Sequence, residues 1–228
     1  MKTVLVTGAN RGIGLEFTRR YLANGSRVIA TCRNPSDAYT LQILEKNKNL
    51  SILELDVAAQ LSVDHLESYL KGIPIDILIN NAGVTGGGKQ PFESIDCDVW
   101  LQTLSINTLG PMRVSLALLE NLRIGSSPRI VSISSEVASM VHPSRSFYAY
   151  SSSKAALNKA MQHLAASLEN EGIIVGLLHP GWVQTDMGGV NGKLTVEESV
   201  EGLVEVIDSL TMKNNGQFIT WEGVQHPW

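Results

Sequence analysis

The sequence predicts an α/β fold, a single doubly wound domain in which helices cover both faces of a mainly parallel seven-stranded sheet. Short apolar segments alternate with helical segments along the whole chain. Several of the apolar segments are continuous, which is typical of parallel strands that are buried on both sides. A length of 228 residues suits one such domain, and the sequence contains no repeat or linker that would divide it.

The predicted elements follow one another in a regular order. Strands are predicted at 3–7, 27–31, 51–57, 75–80, 129–134, 173–180 and 217–220. Helices are predicted after the first turn, ending at Asn24-Gly25, and then at about 36–46, 60–71, 96–122, 149–170 and 195–210. Right-handed crossovers give the strand order 3-2-1-4-5-6-7, in which the loops after strands 1 and 4 flank the ligand crevice.

The composition excludes several classes of partner. Net charge is −4 and no basic stripe stands out, so no nucleic-acid partner is expected. The longest apolar runs are too short to span a bilayer, and no signal peptide precedes the first of them. Cys32 and Cys97 have no neighbouring Cys or His at metal-ligand spacing and are expected to be free thiols. We therefore predict a cytoplasmic protein without a metal site or a membrane partner.

The first loop has the residues of a phosphate-binding turn. It reads TGANRGIG, in which Gly8, Gly12 and Gly14 give the pattern GxxxGxG. Glycines allow a tight turn and a close approach of the backbone to phosphate, and the N-terminus of the next helix offers N–H donors. A plain strand-to-helix turn is the alternative. We predict a Rossmann-type dinucleotide site in which Asn10 and Ile13 of the same loop also contact the cofactor.

The end of the second strand indicates which dinucleotide binds. An NAD site usually carries an acidic residue there, which binds the ribose 2′-hydroxyl. Here Cys32 takes that position and Arg33 follows it, while Arg11 lies in the glycine loop. Two guanidinium groups without a carboxylate favour a 2′-phosphate, so NADP(H) is the predicted cofactor and NAD(H) is the alternative. The other role for either arginine is that of an ordinary solvated surface charge.

The segment FYAYSSSK, residues 147–154, contains a candidate reacting group. Tyr150 has Lys154 four residues later, and side chains at this spacing share one face of a helix. Tyr148 has Ser152 at the same spacing. A phenol has a reference pKa of about 10 and exchanges protons near neutral pH only beside a positive charge. Tyr150 is therefore the candidate acid, and Tyr148 is expected to pack.

These motifs occur with NNAG at 80–83, IN at 106–107, SISS at 132–135 and HPGWVQTDM at 179–187. In this order and spacing the chain resembles the short-chain dehydrogenase/reductase family over nearly its full length. ATCRNP, YAYSSSKAALN and the ending WEGVQHPW are most similar to the branch that holds C-factor and the Sniffer carbonyl reductase. The resemblance implies one domain over 1–228, with a dinucleotide-binding half at about 1–125 and a catalytic and substrate-binding half at about 126–228.

The resemblance also implies the catalytic roles. Tyr150 is the implied general acid/base, and Lys154 is implied to hold the nicotinamide ribose and to lower the pKa of the tyrosine. Ser135 matches the serine that stabilises the developing oxyanion, and Ser134 is its nearest competitor. Asn107 matches a residue that holds a proton-relaying water, and a satisfied hydrogen bond between helices is its alternative role.

Further cofactor contacts are implied in the same way. Asp56 is implied to accept from the adenine amino group, and its other role is to cap the next turn. The full predicted set of cofactor-binding residues is Gly8, Asn10, Arg11, Gly12, Ile13, Gly14, Arg33, Asp56, Val57, Asn81, Ala82, Gly83, Tyr150, Lys154, Pro180, Gly181, Val183 and Thr185. His179 is expected to fill the end of the sixth strand, and His142 is either a loop residue or a substrate contact.

Two functions follow from these assignments. The first is an NADP(H)-dependent oxidoreductase that transfers a hydride between nicotinamide and a small carbonyl or alcohol substrate. The second is a signalling or regulatory protein, similar to C-factor, that binds a dinucleotide with little turnover. The resemblance also implies a homodimer or homotetramer, joined through the helices predicted at about 96–122 and 149–170.

Overall fold

The computed structural model describes residues 1–141 and 146–228. Its strands are β1 Thr3–Thr7, β2 Arg27–Cys32, β3 Leu50–Glu54, β4 Ile77–Asn80, β5 Arg129–Ile133, β6 Ile174–His179 and β7 Phe218–Thr220. They form one sheet in the order β3-β2-β1-β4-β5-β6-β7, and each neighbouring pair of strands is parallel. The predicted fold class and strand order are confirmed.

The helices connect successive strands. They are α1 Gly12–Ala23, α2 Tyr39–Gln42, α3 Gln60–Leu70, α4 Cys97–Leu104, α5 Gly110–Ala117, α6 Leu119–Arg123, α7 Tyr148–Leu168 and α8 Val196–Ser209. The prediction of one helix at 36–46 is wrong, because α2 has four residues and lies between 3₁₀ turns at Pro35–Asp37 and Ile43–Lys46. Within α2 only Leu41 is buried, so little packing is available to stabilise a longer helix.

The single long helix predicted at 96–122 is also wrong. A π-helical turn, Ser105–Leu109, separates α4 from α5, and Leu118 separates α5 from α6. Pro111 explains the π-helical turn between α4 and α5. It has no N–H to donate to the carbonyl of Asn107, and its ring would collide with that carbonyl in a regular α-helix. The N–H of Gly110 instead donates to the carbonyl of Ser105, five residues earlier.

The sheet separates two hydrophobic cores. Val4 of β1 packs in the core that includes Phe17 of α1 and Leu203 of α8. The next residue, Leu5, points to the opposite face and packs in the core that includes Leu157 of α7. Because both faces of β1 are buried, its sequence TVLVT has no polar alternation.

The order of the strands places a crevice beside β1. β2 and β3 lie on one side of β1, and β4 to β7 lie on the other side. The loops that leave the carboxyl ends of β1 and β4 therefore diverge and leave space between them. His142, the candidate substrate contact, lies outside the described residues. Among the residues that the structure describes, no helix is both long and apolar enough to cross a membrane.

Candidate active site

A cleft of about 850 Å³ opens at the carboxyl ends of the strands. Loops that follow β1 to β6 line it, together with the first turns of α7. All the predicted catalytic and cofactor-binding residues line this cleft except Gly14 and Asn107. The fold therefore brings together in one site segments that are up to about 180 residues apart in the sequence. Gly14 and Asn107 both contact residues that line the cleft.

The glycine loop forms one end of the cleft. Gly8 and Gly12 have φ angles of +65° and +53°, in the region that favours glycine. Gly14 lies behind the loop, because a Cβ there would lie 2.3 Å from the carbonyl oxygen of Gly8 and 2.5 Å from Nδ2 of Asn81. Its role is close packing of α1 against the loop, as the fingerprint requires of one glycine.

The turn after β4 is bonded to this glycine loop. The hydroxyl oxygen of Thr7 accepts from the N–H groups of Asn81 and Ala82, both at 3.0 Å. The side chain of Asn81 donates in return to the carbonyls of Thr7 at 2.9 Å and Gly8 at 3.1 Å. The predicted Asn81 contact with cofactor is therefore limited to its remaining atoms, since its amide N–H groups hold the loop.

The ends of β2 and β3 contain the predicted adenosine contacts. Arg33 is exposed and lines the cleft next to the buried Cys32. Arg11 instead forms an exposed ion pair with Asp186, with 2.8 Å between Nη1 and Oδ2. The side chain of Asp56 accepts from the N–H of Ala58 at 2.9 Å, so it caps the turn as well as lining the cleft.

Tyr150 and Lys154 lie one turn apart on α7, as their spacing predicts. The ammonium of Lys154 is 5.9 Å from the centre of the Tyr150 ring and donates to the carbonyl of Ile133 at 2.7 Å. Lys154 is only 5% exposed, and this burial lowers its pKa to about 8. Tyr148 packs against Trp100 with 6.4 Å between ring centres, as predicted.

Burial sets the pKa of Tyr150. It raises the pKa above the ordinary value, and a hydrogen bond with Ser135 partly offsets the increase. The structure therefore shows a raised pKa where a lowered one is predicted from Lys154. Burial explains the difference, because it is the largest cause of the shift, while the ammonium of Lys154 is bonded to the carbonyl of Ile133 and lies 5.9 Å from the ring centre.

The three serines at the end of β5 have different surroundings. Ser132 is fully buried within the strand. Ser134 is also buried and donates its hydroxyl to Oδ1 of Asn158 at 2.6 Å. Ser135 is half-buried, faces the cleft and bonds to Tyr150. The predicted serine is thus the one beside the phenol, and the hydroxyl proton of its competitor is already used.

Asn107 lies behind the cleft, in the π-helical turn. Its Oδ1 accepts from the N–H of Val84 at 2.9 Å, and its Nδ2 donates to the carbonyl of Val84 at 2.8 Å and to the hydroxyl of Ser153 at 2.9 Å. The bond to Ser153 of α7 is the contact between helices that the alternative role expects, and the two bonds to Val84 make Asn107 a buried bridge to the loop after β4. Asn107 and Lys154 both lie close to Gly83, because a Cβ added there would be 3.2 Å from Oδ1 of Asn107 and 3.6 Å from Nζ of Lys154. The bridge therefore lies next to the lysine of the site.

Several lining residues are not in the predicted set. They include Lys89, Glu136, Val137, Phe147, His179, Trp182, Asp186 and Met187. Phe147 precedes α7 with a φ of +65°, which is unusual for a bulky residue and is a conformation found at functional sites. No local feature of the sequence signals this conformation. The motif HPGWVQTDM does signal the segment that contains Trp182, Asp186 and Met187. The predicted cofactor contacts in that motif are the neighbouring residues Pro180, Gly181, Val183 and Thr185.

His179 fills the end of β6, as expected, and it also faces the cleft. It is 8% exposed, and its Nδ1 accepts from the N–H of Glu136 at 3.1 Å. Burial and the neighbouring His226 lower its pKa to about 4. The imidazole is therefore neutral near pH 7.

Comparison with known proteins identifies the family. The sequence model for short chain dehydrogenase matches residues 2–194. The C-signal protein of Myxococcus xanthus is 42% identical over 156 residues, which cover 68% of this chain and 93% of that protein. A 1-hydroxy-2-glutathionyl-2-methyl-3-butene dehydrogenase from a Rhodococcus species is 34% identical over 236 residues and all of both chains.

Solved structures agree with these relatives. The carbonyl reductase Sniffer of D. melanogaster has a TM-score of 0.94 at 32% identity and covers 100% of both chains. An NADPH-bound carbonyl reductase from chicken fatty liver has a TM-score of 0.91 at 35% identity and covers 100% of this chain and 99% of its own. The predicted branch, with C-factor and Sniffer, is confirmed. This chain belongs to the short-chain dehydrogenase/reductase family of oxidoreductases.

Proposed function

We propose that this oxidoreductase is NADP(H)-dependent and reduces a carbonyl group of a small molecule, or oxidises the matching alcohol. One observation carries the proposal. Ser135, Tyr150 and Lys154 meet in a single cleft that also contains the glycine loop. In this proposal residues 1–125 mainly bind the dinucleotide, and residues 126–228 contribute most of the catalytic and substrate-binding groups.

The glycine loop fits a dinucleotide phosphate. Gly8 and Gly12 present backbone without side chains to the cleft, and α1 begins there. Arg11 gives α1 no side-chain cap, so the first N–H groups of the helix can bind an anion. Arg33 supports the choice of NADP(H), because its exposed guanidinium lines the cleft. Similar solved structures contain NADPH or NADP, which supports the same choice.

The chain supplies the proton chemistry, and the dinucleotide supplies the hydride when bound. Tyr150 keeps its proton near neutral pH because burial raises its pKa, so it is ready to donate to a carbonyl oxygen. The hydroxyl of Ser135 adds a second donor for the negative charge that develops there. Lys154 is mainly cationic below its pKa of about 8 and stabilises the phenolate that forms. Asn107 holds the loop at Val84 beside this lysine.

The proposal is tested by supplying NADPH and a panel of ketones and aldehydes and monitoring the consumption of NADPH by its absorbance. Tyr150→Phe removes the proton donor and should lower kcat about 10²–10⁴-fold, the usual contribution of general acid catalysis. Tyr148→Phe is the matched control and should keep activity, because that ring packs against Trp100. NADPH affinity measured for both variants separates a loss of cofactor binding from the loss of the proton donor. Equal activity of the two variants would contradict the assignment of Tyr150.

A second candidate is a signalling or regulatory protein that binds the dinucleotide with little turnover. The 42% identity to the C-signal protein favours it. The arrangement of Ser135 and Tyr150 favours the enzyme, because a binding module does not need a paired phenol and hydroxyl. Tight NADPH binding without turnover of any carbonyl would support the second candidate.

We also propose a homodimer or homotetramer in the cytoplasm. Leu101 of α4 and Leu116 of α5 are exposed by 64% and 60%, which supports a subunit contact on these helices. The two free cysteines, Cys32 and Cys97, support a reducing compartment. Light scattering at micromolar concentration tests the assembly, and a monomer there would contradict it.

A further inference from the structure

We propose that His179 is a positioning residue for the reduction, in which its imidazole holds the turn after β5 so that the Ser135 hydroxyl meets Tyr150. The inference rests on the proposed function, because it assigns His179 an effect on the Ser135–Tyr150 pair. Filling the end of a strand does not require a hydrogen bond, and His179 makes one to the segment that bears the serine.

The sheet places His179 and Ser135 at the same level. β5 and β6 are neighbours, with Ile133 opposite Leu178. The pairing continues one residue further, since the N–H of Ser134 donates to the carbonyl of Leu178 at 2.7 Å. His179 follows Leu178 and Ser135 follows Ser134, so both side chains leave the sheet at the edge where the cleft opens.

The hydrogen bond fixes the tautomer of the imidazole. Nδ1 of His179 is 3.1 Å from the backbone nitrogen of Glu136. A backbone N–H can only donate, so Nδ1 accepts and carries no proton. The neutral ring therefore has its proton on Nε2. A protonated ring could not make this bond, because both of its nitrogens would be donors.

The bonded N–H belongs to the residue directly after Ser135. The short turn Glu136–Ala138 begins here, and the carbonyl of Ser135 accepts from the N–H of Ala138 at 3.0 Å. The Ser135 hydroxyl oxygen also accepts from the N–H of Val137, at a long 3.5 Å. The turn thus holds the backbone of Ser135 but bonds only weakly to its hydroxyl, and His179 adds a bond that ties the turn to β6.

The surroundings keep the imidazole neutral and in place. His226 packs edge-on against it with 5.5 Å between ring centres, and His226 in turn contacts Phe218 at 4.7 Å. Among the described residues, the titratable groups beside the ring are His226 and the exposed carboxylate of Glu136, whose Oε2 is 4.0 Å from Nε2. Burial is the largest cause of the lowered pKa of His179, and His226 adds to it. The acceptor is therefore present throughout the neutral range.

Two substitutions separate the hydrogen bond from the shape of the side chain. His179→Asn places its Oδ1 where Nδ1 lies and keeps an acceptor. His179→Leu fills a similar volume without an acceptor and leaves the N–H of Glu136 unpaired. We expect His179→Leu to lower kcat about tenfold and His179→Asn to stay within about threefold of the wild type, with NADPH affinity unchanged in both. Equal losses in the two variants, or a normal kcat in His179→Leu, would overturn the proposal.

A double-mutant cycle tests whether the effect passes through Ser135. If it does, adding His179→Leu to Ser135→Ala should cost less than about twofold, because the hydroxyl to be positioned is already absent. A further tenfold loss in the double variant would show a general structural effect and would overturn the proposal. Thermal unfolding midpoints of the single variants identify any variant that is poorly folded. If His179→Leu is poorly folded, the proposal is tested with His179→Asn, and a well-folded His179→Asn that loses about tenfold in kcat would overturn it.

Nitrogen chemical shifts of the wild-type imidazole provide a readout that does not depend on activity. We expect the Nε2–H tautomer of His179, without titration between about pH 5 and pH 8. An Nδ1–H tautomer, or titration near an ordinary histidine pKa, would refute the hydrogen bond. If wild-type protein reduces no carbonyl, the proposed function fails. If it is active and His179→Leu is equally active, only the present inference fails.

Discussion

Gly8→Ala should show how closely the glycine loop and the turn after β4 depend on each other. Gly8 has a φ of +65°, and a Cβ there would lie 2.9 Å from Cα of Ala82 and 3.2 Å from its Cβ. The hydrogen bonds of Thr7 and Asn81 hold that turn against the loop, so the backbone cannot move away freely.

The size of the effect follows from two costs. A left-handed conformation costs an alanine about 1–2 kcal/mol. The collision with the backbone of Ala82 adds about 1–3 kcal/mol, as overpacked contacts do. We therefore expect Gly8→Ala to lower the free energy of unfolding by about 2–5 kcal/mol and to weaken NADPH binding at least about tenfold, because the altered loop lines the cleft.

Gly25→Ala is the matched control. Gly25 has a φ of +74°, and an added Cβ would have no atom within 4 Å. This variant should lose only the conformational term, about 1–2 kcal/mol, and bind NADPH normally. Urea unfolding with equal m-values gives the two free energies. A loss in Gly8→Ala no larger than that in Gly25→Ala would refute the collision, and unchanged NADPH affinity would refute the role of the loop.

Three further predictions concern the cofactor, the lysine and the buried bridge. Arg33→Asp should weaken NADPH binding more than NADH binding, and a larger loss for NADH in fluorescence titrations would contradict the 2′-phosphate contact. The unfolded chain keeps the Lys154 proton to about pH 10, whereas burial lowers the folded pKa to about 8, so this group makes stability rise with pH between these values. Lys154→Met should remove that rise in urea titrations performed from pH 7 to pH 10. Asn107→Ala should cost about 2–4 kcal/mol by unpairing Val84, whereas the exposed Asn191→Ala should cost less than about 0.5 kcal/mol.

Those parts of the fold and site that depend on local spacing could be predicted from the sequence. The alternation of buried strands and helices gave the strand order, since right-handed crossovers allow few other arrangements. Spacing on a helix was sufficient to choose Tyr150 over Tyr148, and the structure packs Tyr148 against Trp100. Pro111 was visible in the sequence and was a sufficient reason to interrupt the helix predicted at 96–122.

The remaining features depend on contacts between distant segments. The pairing of Arg11 with Asp186 joins residues that are 175 positions apart, and no local pattern indicates it. The pKa of Tyr150 likewise depends on how deeply α7 is buried, which spacing to Lys154 does not determine. His179 carried a sequence signal only as part of the motif HPGWVQTDM, and its acceptor role requires the position of Glu136.

Polar side chains that bond to neighbouring segments hold three of the loops that form the cleft. Asn81 bonds to the glycine loop, Asn107 to the loop at Val84, and His179 to the turn after Ser135. Each of these side chains bonds to backbone atoms of another segment, so it constrains a whole loop and not one side chain. A buried amide or neutral imidazole suits this task because it makes directional bonds without bringing a charge into the interior. Asn107 therefore contributes to the site without lining it, and the reacting groups owe their geometry to polar residues that need not touch substrate.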